Sequence, residues 1–182
     1  MDTTRSTPAE ELRYPIGRYR PPVPIGVHDR AEWITEIEGL PRKLRDAIGR
    51  LNEQQLDTAY RPRGWTVRQV VHHVPDSHMN SYSRFRLALT EDSPTVKPYD
   101  EAAWAELADA KRASVEPSLA LLEGLHARWV ILLRSMSDAD FARTYKHAEL
   151  GELRLDWVLG QYAWHCRHHV AHITNLRKRE RW

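Results

Sequence analysis

A chain of 182 residues that is 41% hydrophobic and 29% charged has the composition of one globular domain, long enough to bury a core without disulfide support. A formal net charge of +2 argues against a nucleic-acid partner, and no apolar run reaches the roughly 18 residues of a membrane span. Met1-Asp2-Thr3-Thr4-Arg5 lacks the apolar stretch of a secretory leader, and the single Cys166 has no internal disulfide partner, so a reducing, cytoplasmic setting is expected.

Residues 1 to about 28 read as an irregular segment, because Pro15, Pro21, Pro22 and Pro24 remove backbone donors and disfavour helix before them. Leu12, Tyr14, Ile16, Tyr19, Val23 and Ile25 are too apolar for a free tail, so the segment is expected to lie across the domain or a partner subunit. A first helix runs from about Asp29, as N-cap, to about Leu51, with Trp33, Ile37, Leu40, Leu44, Ile48 and Leu51 on one stripe and Pro41 expected to kink or divide it. Thr66 caps a second long helix that ends near Leu89. A loop with Pro94 and Pro98 follows, then a short helix over about 101–108.

A third long helix begins near Ser114, with Pro117 in its first turn and Leu121, Leu122, Leu125, Trp129, Leu132 and Leu133 on a broad apolar face. Tyr145 to Leu155 reads as a loop or at most a short hairpin, and a fourth long helix runs from about Leu155 to Arg179. The basic run Arg177-Lys178-Arg179-Glu180-Arg181 places cations at the negative end of that helix, a structural rather than phosphate-binding role. The fold class is therefore all-α: a four-helix bundle forming one domain over residues 1–182, with an irregular N-terminal segment over 1–28.

Seven of the ten histidines fall in two stretches, His72 to His78 and His165 to His172, each on a predicted helix. Residues i and i+4 share a helix face, which pairs His165 with His169 and His168 with His172. The stripe Val158, Tyr162, His165, His169, Ile173 and Leu176 is otherwise apolar or aromatic, whereas Gln161, Trp164, His168, Ala171 and Asn175 form a more polar flank. His165 and His169 are thus the better inward pair. Adjacent residues diverge by about 100°, so His72 and His73 cannot serve one ion together. His73 lies close to the apolar set Val67, Val70, Val71 and Val74, with His78, one turn on, as its main rival. Asp76 reads as an orienting neighbour of a ligand or, more simply, as an exposed ion-pair partner; Cys166, Trp65, Trp129 and Trp164 read as packing residues.

Leu12-Arg13-Tyr14-Pro15-Ile16-Gly17, Gly64-Trp65-Thr66-Val67-Arg68-Gln69-Val70-Val71-His72-His73, Asp76 to Tyr82, Lys97-Pro98-Tyr99-Asp100 and Tyr162 to Ile173 together resemble the DinB/YfiT-like family of metal-dependent hydrolases, which includes the bacillithiol S-transferases. The likeness covers nearly the whole chain in order, and departs from the family pattern at Pro75, where a helix-forming residue is usual. It implies a four-helix bundle, a homodimer, and one divalent metal per subunit, Zn2+ or Ni2+. It also implies the ligands: His73, His165 and His169.

Three imidazoles leave a divalent ion with open positions, as in catalytic rather than structural sites. Two chemistries follow, both on a small-molecule substrate: a hydrolase in which the metal activates water, or a transferase in which it holds the thiolate of a low-molecular-weight thiol that attacks an electrophile. A metal- or ligand-binding bundle without catalysis is the third reading. No residue of the sequence announces itself as general base or other catalytic group.

Overall fold

The computed structural model describes residues 7–182; Met1 to Arg5, read above for the absence of a leader, lies outside them. The Pro-rich segment is not irregular throughout, because α1 spans Pro8–Arg13. Pro8 sits in the first turn, where a missing N–H is harmless, and Thr7 caps the helix by accepting the Glu10 N–H at 3.3 Å. Pro15 and the prolines after it follow the end of α1 and so do not oppose it.

Helix α2 spans Val27–Ile48. Asp29 stands three residues into the entry turn rather than at its cap: its carboxylate accepts the Gly26 N–H at 2.7 Å. The helix is not divided at Pro41, one of the two outcomes expected there. A single turn, α3 (Glu53–Leu56), leads to α4 (Val67–Thr90), where Thr66 Oγ1 accepts the Gln69 N–H at 3.1 Å and Gln69 Oε1 accepts the Thr66 N–H at 2.9 Å. Helix α4 also continues through its proline, Pro75.

Strand β1 (Thr95–Val96) is followed by α5 (Glu101–Ala105) and α6 (Ala108–Arg112), two turns where one short helix was expected. Helix α7 (Glu116–Ser135) and the turn α8 (Asp138–Phe141) precede strands β2 (Thr144–His147) and β3 (Gly151–Arg154), and α9 spans Leu155–Glu180. The expected loop or hairpin is thus a hairpin extended to a three-stranded sheet: β2 pairs antiparallel with β3, Tyr145 opposite Leu153, and parallel with β1, Thr95 opposite Lys146. Gly151 sets the turn at φ +75°, a left-handed conformation that suits glycine.

The bundle is formed by α2, α4, α7 and α9. Helix α2 packs against α7 and α9, and α4 packs against the same two, so helices consecutive among the long ones, α2 and α4, lie across the diagonal. Trp129, Phe85, Leu40, Leu122, Leu159 and Ile173 fill the interior. The residues after α1 strap α9 from outside: Tyr19 donates its hydroxyl proton to the Trp157 carbonyl at 3.2 Å, and Trp164 Nε1 donates to the Gly17 carbonyl at 3.1 Å. Of the basic C-terminal run, Arg177 donates to the Ala47 carbonyl at 2.7 Å and Arg179 to the Tyr60 carbonyl at 3.1 Å, which fixes the end of α9. Among the described residues no helix is long and apolar enough to cross a membrane.

Candidate metal centre

The diagonal arrangement brings the middle of α4 against the middle of α9, where their inward stripes carry histidine instead of leucine. His73, His165 and His169 each place one ring nitrogen within 4.8 Å of the other two. His165 Nε2 lies 3.3 Å from His73 Nε2 and 3.1 Å from His169 Nε2. Ligand nitrogens about 2.0–2.1 Å from a tetrahedral ion are separated by roughly 3.3 Å, so the spacing fits a divalent ion between the rings. The donor set fits as well, since neutral imidazoles suit zinc and nickel.

Burial keeps these rings neutral. His73 is pushed down to about 4, and His165 and His169 fall well below the usual imidazole range, in each case chiefly by loss of water and then by neighbouring histidines. Trp65 lies over His73 with ring centroids 4.6 Å apart. Two cavities meet at His165. One, of about 410 Å³, is lined by all three histidines, Trp65, Arg61 and Glu101; the other, of about 600 Å³, by Arg84, Tyr99, Tyr162 and again Glu101.

The other histidines have different tasks. His72 points away, with Nδ1 2.7 Å from Ser118 Oγ and Nε2 3.4 Å from the Ala113 carbonyl. His168 stacks on Trp164 at 4.3 Å, and His172 stacks on Tyr60 at 3.9 Å with its Nε2 donating to the Arg13 carbonyl. His78, the rival third ligand, is behind His165 rather than beside it: its Nε2 is 3.1 Å from His165 Nδ1, the nitrogen turned away from the cluster. The Asp76 carboxylate forms neither a hydrogen bond to a histidine nor an ion pair among the described residues; burial and Asp109 raise its carboxyl to about 6. Cys166 is fully buried and burial pushes its thiol up, which leaves it a packing residue.

Sequence reasoning missed Glu101, Arg84 and His126. Glu101 opens the short helix expected after Pro98, and Arg84 lies two turns beyond His78 on α4, but neither position carries a pattern that marks it as part of the site. His126 had a signal: it falls on the α7 stripe of Leu119, Leu122, Trp129, Val130 and Leu133, all buried.

Residues 36–173 match the sequence profile of the DinB superfamily. The chain belongs to that family. A Bacillus cereus protein named "putative metal-dependent hydrolase" is 58% identical over 172 residues, covering 94% of this chain and 99% of that protein, and a Bacillus thuringiensis protein of the same description is equally similar. Among solved structures, YfiT from Bacillus subtilis, described as a probable metal-dependent hydrolase with an unusual four-helix bundle topology, superposes with a TM-score of 0.92 at 50% identity. That match covers 94% of this chain and 99% of YfiT. The four-helix bundle expected from the sequence is thus the fold of a solved relative.

Proposed function

We propose that this DinB-family protein is a metal-dependent hydrolase whose ion, Zn2+ or Ni2+, is held by His73, His165 and His169. The observation that carries the reading is the convergence of three Nε2 atoms at 3.1 and 3.3 Å around His165, with His73 and His169 buried and His165 partly exposed where two cavities meet. A divalent ion held by three imidazoles supplies Lewis acidity and makes water nucleophilic near pH 7. The names of the close relatives support the same chemistry.

The chain's own groups complete the reaction. Glu101, exposed at the edge of both cavities, serves as the base that takes the proton of the attacking water; partial loss of water raises its carboxyl, with Asp100 and Glu149 adding to the effect, which strengthens it as a base. Arg84 is 9% exposed, donates to the Lys97 carbonyl at 3.0 Å, and has no carboxylate ion pair among the described residues. Its remaining N–H groups serve a substrate oxygen that gains negative charge. Trp65 and Tyr99 form aromatic walls of the two cavities.

A second reading has one observation in its favour. Arg13, Arg61 and Arg63 line the smaller cavity without a carboxylate ion pair among the described residues, a setting for an anionic thiol whose sulfur reaches the same ion. The metal-loaded protein offered chromogenic esters and, separately, a carboxylate-bearing thiol with a chromogenic electrophile decides between them. Ester turnover that disappears in Glu101→Gln supports the hydrolase; turnover only with thiol and electrophile replaces it with the transferase.

A further inference from the structure

We propose that the Ile37 carbonyl, His126 and His78 form a tautomer relay that holds His165 with its Nε2 lone pair turned toward the metal position. The proposal rests on His165 being a ligand through Nε2, and it makes His78 and His126 positioning residues.

The relay begins at Pro41. In a helix the N–H of residue i bonds the carbonyl of residue i−4, so the Ile37 carbonyl belongs to residue 41, and proline has no N–H to give it. Ile37 is fully buried, away from water. Its carbonyl oxygen instead lies 2.6 Å from His126 Nδ1, contributed by α7. The unbroken helix at Pro41 therefore leaves a backbone acceptor in the core, and a histidine from the facing helix uses it.

Every later direction follows from this one. A carbonyl only accepts, so His126 Nδ1 carries the proton. A neutral imidazole has one N–H, which makes His126 Nε2 an acceptor, and it lies 2.9 Å from His78 Nδ1. His78 Nδ1 then carries its ring's proton, and His78 Nε2 accepts from His165 Nδ1 at 3.1 Å. His165 is left with a bare Nε2, the atom that faces His73 and His169. Neither His78 nor His126 pairs with a carboxylate among the described residues, and both are essentially without solvent contact.

Packing locks the rings as well as their protons. His78 stacks on His126 with centroids 4.9 Å apart and meets Trp129 and Tyr162 edge-on at 5.8 and 5.0 Å. Exchanging its two nitrogens would require turning the ring through buried aromatic side chains. The chain ends on a carbonyl that cannot pass a proton on, so its role is orientation of a ligand and not proton transport. Partners of this kind, which receive the second N–H of a ligand imidazole, typically contribute 10–100-fold to metal affinity.

The test is long-range 1H–15N spectroscopy of histidine-labelled protein, without metal and during Zn2+ addition, combined with Zn2+ affinity measured against a chelating dye. The expected result is the Nδ1–H tautomer at His126, His78 and His165, with Zn2+ shifting the Nε2 signal of His165. In His126→Phe, His78 loses its acceptor. The spectra of His78 and His165 should then move toward Nε2–H, and Zn2+ affinity should fall by about 10-fold or more with helix content kept. A wild-type His165 with Nε2–H overturns the relay, as does a folded His126→Phe protein with unchanged tautomers and affinity; the wild-type spectra alone decide if that variant does not fold. Zn2+ bound at a His165 of the other tautomer overturns the relay but not the metal site. Correct tautomers with a His165 Nε2 signal that Zn2+ leaves unmoved overturn the ligand assignment itself.

Discussion

His165 is the residue at which the site's contacts meet, with ring nitrogens near His73, His169 and His78. Removing one of three protein ligands leaves too few for tight binding, so His73→Ala, His165→Ala and His169→Ala should each abolish stoichiometric metal. His168→Ala should keep it, since that ring stacks on Trp164 and lies outside the three-nitrogen cluster; metal content by mass spectrometry checks all four, and loss in His168→Ala would move the site. Protons compete for the same nitrogens. Exposed ligands with free pKa near 6.5 would begin to lose metal at that pH, but burial holds His73 down to about 4 and the other two well below their usual range. Zn2+ affinity should therefore change little between about pH 8 and pH 6, and a fall of tenfold or more across that interval would contradict the burial described. The i, i+4 pair on α9 and the apolar neighbours of His73 made these three residues legible in the sequence. His126 shows in the sequence only as a ring on the α7 stripe, because what gives it a role is the Ile37 main-chain carbonyl on another helix, which no side-chain pattern records.

Among the elements, the long helices were legible because each carries a full apolar stripe, and the start of α4 because Thr66 is a capping residue visible as such, whereas the start of α2 was displaced by reading Asp29 as its cap. Of the two outcomes expected at Pro41, a kink or a division, the division does not occur, for a physical reason. A proline inside a helix removes one hydrogen bond, and whether the helix breaks depends on what else satisfies the freed carbonyl, which is tertiary information. The third strand added to the hairpin was illegible because β1 is two residues long and pairs with a strand some fifty residues away. Close approach of elements is equally invisible. At Gly160, on α9, a Cβ would stand 2.8 Å from the Trp33 ring of α2 and 2.2 Å from the Tyr19 hydroxyl of the N-terminal strap. Alanine favours helix over glycine by about 1 kcal/mol, whereas overpacking a filled site costs about 1–3 kcal/mol. Trp33 is buried and cannot step aside cheaply, so Gly160→Ala should lower the thermal midpoint despite its better helix propensity. A raised midpoint would mean that the strap and Trp33 yield freely.

For the whole molecule, the core does not need the ion. Trp129, Phe85, Leu40, Leu44, Leu122, Leu159 and Leu176 are buried to 2% exposure or less across all four long helices, and a domain of this size hides roughly 70% of its unfolded surface. Chelation at pH 7.5 should leave far-ultraviolet circular dichroism helical and unfolding cooperative, with only the mass-action contribution of binding lost. Acid is a different matter. His126 and His172 are lowered to about 4 and His168 to about 3, mainly by burial, so between those values and the unfolded value of about 6.5 the unfolded chain binds protons that the folded chain refuses. Stability from these groups is complete above about pH 6.5 and is lost as pH falls through that window, by up to about 1.4 kcal/mol per pH unit for each histidine. Three such rings, none of them in the proposed ligand set, together remove stability comparable to the margin of an ordinary domain within about two pH units. The metal-free protein should accordingly show a thermal midpoint that is nearly constant from about pH 8 to pH 7 and drops steeply toward pH 5. A midpoint unchanged between pH 7.5 and pH 5 would require these imidazoles to be protonated, and hence solvated, inside the folded bundle.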